Sequence, residues 1–168
     1  MCMLVIGLDP GTATTGYGLV REDAGGSLSA VDYGVITTPS RTPMPDRLAQ
    51  LYSELQQILL LHSPDSAAVE KLFFQKNVTT AISVAQGRGV TLVALSQAGL
   101  EVAEYTPMEI KQAIAGYGGA DKQQMQHMVR ALLDMDDIPR PDDAADALAV
   151  AICHIHSRKS RALYDQED

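Results

Sequence analysis

With 168 residues, the chain has room for one domain with its own core and not for two. Hydrophobic residues at 46% against 20% charged exclude a mostly disordered chain, and no apolar run approaches the roughly 20 residues of a bilayer span, which excludes membrane insertion. Thirteen Lys plus Arg against 21 Asp plus Glu leave a net charge of −8, which argues against nucleic-acid binding through a uniformly basic surface.

Met3 to Leu8 is an apolar run that predicts a short buried strand, with Asp9 as its last residue or the first of a turn. It has no basic flank and runs into Asp9-Pro10-Gly11, so it is not read as a signal peptide. With only Cys2 and Cys153, free thiols in a reducing cytoplasm are expected. Thr15 to Val20 and Leu28 to Thr38 predict two more strands around the turn residues Asp23 to Gly26, together an antiparallel meander. Leu48, Leu51, Leu55, Ile58, Leu59 and His62 then repeat at helical spacing, and Pro64 ends that helix. Ala67 to Leu72 predicts a fourth strand with Glu70 inside it. Asn77 caps a helix over Val78 to Ser96, and Glu101 to Tyr105 predicts a fifth strand. Thr106-Pro107-Met108-Glu109 is a capping box with Pro at the first helical position. After a Gly-rich loop, Asp121 caps the next helix, through about Leu133. Pro141 and Asp142 open a last helix through His154, where His154 and His156 interact with the helix C-terminus and need no metal role. The order implies one α/β domain over residues 1–157, a mixed five-stranded sheet flanked by helices on both faces, with 158–168 a frayed tail.

Asp9 and Glu70 come from different strands that a helical crossover makes parallel neighbours. Both lie toward the carboxyl ends, where open α/β sheets carry their sites. Asp143 and Asp146, spaced i, i+3, share a face of the last helix. Four converging carboxylates repel unless cations screen them, and hard oxygen donors without a His or Cys cluster suit Mg²⁺ or Mn²⁺ rather than zinc. Two such ions form a clamp for in-line attack on a phosphodiester. Asp-Pro-Gly is equally an ordinary turn, and Asp143 near a helix start also favours the dipole. Lys71, Lys76, Arg88, Lys111 and Lys122 lie where acids are sparser, as a basic lane or as scattered solvated charges. Gly87 and Gly89 inside a helix cost about 1 kcal/mol each relative to Ala. Close approach of another helix, of DNA or of a second copy would account for them.

The runs Gly7 to Thr12 and Thr15 to Gly18 resemble the opening of RuvC-type Holliday junction resolvases. So do Glu70 to Asn77, Ala85 to Gly89, Gln126 to Arg130 and Asp143 to Ala149, in the family's order over about residues 3–156. The resemblance implies an RNase H-like fold, a symmetric homodimer and cleavage of four-way DNA junctions with two Mg²⁺ or Mn²⁺ ions per site. It also implies a RuvA–RuvB branch-migration partner and products with 5′-phosphate and 3′-hydroxyl ends. Asp9, Glu70, Asp143 and Asp146 match the metal-binding acids, with the Asp143 position variable in the family. In this reading Asp9 bridges both ions, Glu70 holds one and Asp143 with Asp146 the other. Lys111 and Lys122 match DNA-contacting lysines, and Phe73 a base-contacting aromatic. Phe74, Lys76 and Arg88 complete the expected DNA contacts. Phe73 and Phe74 are the only Phe residues; in a strand they face opposite ways, so one is free to stack on an exposed base.

Asp9-Pro-Gly-Thr12 also suits the phosphate-cradling loop of nucleotide-binding kinases and chaperones. Those need two such domains and have no use for Asp143-x-x-Asp146. The acids would equally serve an RNase H-like nuclease acting on RNA, whereas a DNA-binding module without chemistry would not need all four.

Overall fold

A computed structural model describes residues 2–72 and 78–164, with side chains described through Ser160. Three antiparallel strands, β1 (Met3–Asp9), β2 (Thr14–Glu22) and β3 (Leu28–Thr37), form the expected meander. Helix α1 (Met44–His62) crosses to β4 (Ser66–Glu70), which pairs parallel to β1. Helix α2 (Val78–Gln97) leads to β5 (Val102–Tyr105), parallel to β4, and the sheet order is β3-β2-β1-β4-β5. Helices α3 (Pro107–Ala115), α4 (Lys122–Leu132) and α5 (Asp142–Tyr164) follow.

Strand parity sorts β1 between two cores. Leu4, Ile6 and Leu8 pack with Leu51, Leu55, Leu59, Ala94 and Leu95 under α1 and α2. Val5 faces the other way, with Ala68, Leu148 and Ile152, under α3 to α5. Helix α5 lies directly on the sheet because glycines make room for it. A Cβ on Gly7 would stand 2.5 Å from the Ala151 amide nitrogen, inside any tolerable contact.

Several elements differ from expectation. Helix α1 begins at Met44, four residues before the apolar stripe, because Pro45 in the first turn is pre-set for a helix start. Strand β4 ends at Glu70 rather than Leu72, so Glu70 closes the strand instead of sitting within it. Helix α5 runs on to Tyr164, past the predicted end at His154 and into the stretch expected to fray. His154 is therefore mid-helix and buried, and hydrogen bonding accounts for it rather than the helix dipole. Its Nδ1 lies 2.9 Å from the Tyr105 hydroxyl and its Nε2 3.2 Å from Ser66 Oγ. Likewise, His156 Nδ1 stands 3.3 Å from the Ala113 carbonyl. The capping boxes of Thr106 with Glu109 and Asp121 with Gln124 both form. The Asn77 cap lies outside the described residues.

Helix α2 departs from the expectation that no run is apolar enough to span a bilayer. By length and composition it could cross a membrane, and only 22% of the stretch is buried. Here it packs on α1 and β5 as a layer of the domain.

Candidate active site

The parity that places Val5 toward α5 also turns Asp9 to that face, and Ala68 does the same for Glu70. Asp9 pairs with Gly16 of β2. A Cβ on Gly16 would stand 2.5 Å from the Asp143 carbonyl carbon, so only glycine lets the first turn of α5 settle here. That seating delivers Asp143 and Asp146 onto Asp9. One carboxylate oxygen from each of Asp9, Asp143 and Asp146 lies within 4.8 Å of the others, and all three residues are half-buried. Glu70 stands beside this triplet. It shares a recess of about 190 Å³ with Pro107, Ile110, Lys111, Lys122, Met125, Asp146 and Ala149.

The charges are mutually frustrated. Burial, then the carboxylates of Glu70, Asp146 and Asp143, push the Asp9 carboxyl up to about 8, against the pull of Lys122. Burial and Asp146 raise Glu70, with Lys111 opposing. Burial raises Asp146 too, with Lys122 opposing and Asp143 and Asp142 adding to the rise. A site that holds this many acids above their ordinary range at neutral pH is built for added positive charge. The donor set is all carboxylate oxygen, and it fits a hard divalent cation.

The Lys122 ammonium lies 3.0 Å from Asp142 and 3.9 Å from Asp146, and it remains 57% exposed. Asp142 also accepts from Gln126 and Arg140, which fixes the carboxylate that orients Lys122. The amino-acid order gives Gln126 no individual role. Its burial at a helix position facing α5 is the only signal, and it is a tertiary one. Lys111 lines the recess beside Glu70. Arg88, one of the expected DNA contacts, lays its guanidinium on the Glu70 carbonyl oxygen and the Glu104 carboxylate. Phe73, Phe74 and Lys76 lie outside the described residues. Gly87 and Gly89 separate cleanly. A Cβ on Gly87 would stand 2.5 Å from the Gly11 carbonyl oxygen, whereas Gly89 faces open space.

The family model of crossover junction endodeoxyribonuclease RuvC matches residues 5–154, which contain all four acids. The chain belongs to the RuvC family. RuvC of Syntrophomonas wolfei is 57% identical over 155 residues, covering 92% of this chain and 90% of that protein. RuvC of Desulfitobacterium hafniense is 59% identical, covering 92% and 93%. Among solved structures, Thermus thermophilus RuvC in complex with a Holliday junction substrate superposes with a TM-score of 0.86 at 32% identity, covering 94% of this chain and 96% of that one. The yeast mitochondrial Holliday junction resolvase has a TM-score of 0.70 at 14% identity, a likeness of fold alone. The RuvC neighbours agree with the RNase H-like fold expected from the motifs.

Proposed function

We propose that this chain resolves four-way DNA junctions in recombination and repair, by paired phosphodiester hydrolysis that depends on two Mg²⁺ or Mn²⁺ ions per site. The observation that carries the chemistry is the gathering of Asp9, Asp143 and Asp146, with Glu70 adjacent, at the carboxyl ends of β1 and β4. Asp9, Asp143 and Asp146 would share one ion, and Glu70 with Asp9 the other. When bound, the ions supply Lewis-acid polarisation of the phosphate and activation of the attacking water. The chain's own residues then do the rest. Lys122, held by Asp142, and Lys111, beside Glu70, present ammonium groups to the phosphates flanking the scissile bond. Ile110, Met125 and Ala149 form the apolar side of the recess in which these ammonium groups stand.

Paired cuts need two sites, and a second copy of the chain is the natural source. The outer face of α2 supports this reading. Val78, Ile82 and Val93 are exposed there. Between α1 and α2 a groove of about 530 Å³ is lined mainly by Leu48, Ala49, Tyr52, Ala85, Val90 and Val93. Association with a RuvA–RuvB complex rests on family membership.

Incubating a four-way junction with the full chain in Mg²⁺, and in chelator, tests the proposal. Symmetrically related nicks in Mg²⁺ and intact junction in chelator are expected. A junction bound but uncut in Mg²⁺ would overturn it in favour of a binding module.

A further inference from the structure

Glu70 is the last residue of β4, where the ladder to β5 runs out. Its backbone needs another anchor if its carboxylate is to hold a fixed position. One comes from the next residue, whose amide donates to the Tyr105 carbonyl at 2.7 Å. The other is Arg88. Its Nη1 donates to the Glu70 carbonyl oxygen, and its Nη2 pairs with the Glu104 carboxylate on β5. Glu104 is the register partner of Val69, so one rigid guanidinium fork bridges both strands at their ends. The Arg88 side chain is only 11% exposed, and its charge is already matched.

The same helix grips the turn after the other strand-borne acid. Ser83 and Gly87 stand four residues apart on one face of α2, next to the face that carries Arg88. The Thr12 hydroxyl donates to the Ser83 carbonyl, Ser83 Oγ lies 3.2 Å from Thr12 Oγ, and Gly87 packs on the Gly11 carbonyl. Both Gly11 and Thr12 belong to the turn that follows Asp9. Helix α2 therefore ties together the ends of β1 and β4, and Arg88 is the tie on the Glu70 side.

We propose that Arg88 is a positioning residue that fixes Glu70 for metal binding, rather than a contact to DNA phosphate. The proposal rests on the reading of Glu70 as a metal ligand. Groups that orient a ligand without touching the ion typically change metal affinity about 10–100-fold when removed.

The test compares wild type, Arg88→Ala, Arg88→Lys, Glu104→Gln and Glu70→Gln as full chains. Mn²⁺ binding is measured without DNA, by calorimetry and by the paramagnetic resonance of free Mn²⁺. Junction cleavage is followed against Mn²⁺ concentration, and junction binding against salt in chelator. Arg88→Ala should weaken Mn²⁺ binding at least ~10-fold, recover most of its cleavage rate at saturating Mn²⁺, and leave the salt slope unchanged. Arg88→Lys, which keeps one donor for the carbonyl, should fall between. Wild-type Mn²⁺ affinity in Arg88→Ala, with or without a shallower salt slope, overturns the proposal. If Arg88→Ala does not fold, Glu104→Gln decides in its place: it should weaken Mn²⁺ binding about 3-fold or more, and wild-type affinity overturns the proposal. Glu70→Gln separates the two levels. Undiminished Mn²⁺ binding there removes the ligand assignment and the proposal with it; loss there beside wild-type binding in Arg88→Ala removes only the positioning role.

Discussion

Substituting Asp9→Asn should make the metal-free protein more stable at pH 8 while disabling it. Asp9 rises from 3.8 to about 8 on folding because it is buried among Glu70, Asp146 and Asp143. A carboxyl with a native pKa above its unfolded value binds its proton more tightly in the folded state. The stability this contributes is complete below about pH 4 and is lost as pH climbs toward 8. A rise of roughly four units at about 1.4 kcal/mol each sets a ceiling of about 5–6 kcal/mol. The acids titrate together and the site is partly open to solvent, so about 2–3 kcal/mol is the expected loss. For a domain of this size that is about 5–10 °C in Tm. The assay is thermal unfolding of both proteins in chelator from pH 4 to 8.5. Their difference cancels the titration of groups away from the site. Near pH 4 the two should melt together; by pH 8 Asp9→Asn should melt higher. Mg²⁺ should then raise the wild-type Tm at pH 8 and leave Asp9→Asn little changed. Asp9→Asn should still bind a junction but cut it at least ~10³-fold more slowly, a loss of about 4 kcal/mol of transition-state stabilisation. A wild-type-minus-variant difference that is flat with pH would refute the idea that charge crowding strains this site.

Gly16→Ala places a methyl group against the Asp143 backbone; it should cost about 3 kcal/mol and weaken Mn²⁺ binding, as read by urea unfolding and calorimetry. Lys122→Ala should reduce the slope of log affinity against log salt by about one for junction binding, and an unchanged slope discards the phosphate contact. Val93→Asp puts a carboxylate into the groove between α1 and α2 on both copies of a symmetric pair. It should weaken the dimer at least ~30-fold in sedimentation and uncouple the paired nicks; an undiminished dimer moves the interface elsewhere.

Local chemistry was legible in the amino-acid order. Apolar runs, turn residues, helical spacing and capping residues marked the strands and helices seen among the described residues, and side-chain oxygens at Thr106 and Asp121 marked helix starts that form as expected. These features depend on neighbours a few residues away. Asp9 and the Asp143-x-x-Asp146 pair were visible for the same reason, since each sits in a short motif of its own. Boundaries decided by packing were less legible. Helix α5 continues to Tyr164 although its last turns carry no apolar stripe, and β4 stops at Glu70 although Lys71 and Leu72 follow without a breaker.

The amino-acid sequence by itself thus determined which acids exist, which elements carry them, and that a cation was needed if they met. Tertiary structure alone decided that they meet, because that depends on distances between elements far apart in the chain, 134 positions from Asp9 to Asp143 and 61 from Asp9 to Glu70. Gly16 under Asp143 and Gly7 under Ala151 set how closely α5 approaches the sheet. Arg88 on the Glu70 carbonyl and Ser83 on Thr12 set where the ends of β4 and β1 stand. A glycine or an arginine looks the same in the chain whether it faces solvent or a backbone oxygen. Only the packed fold specifies its neighbour, and the neighbour assigns its work.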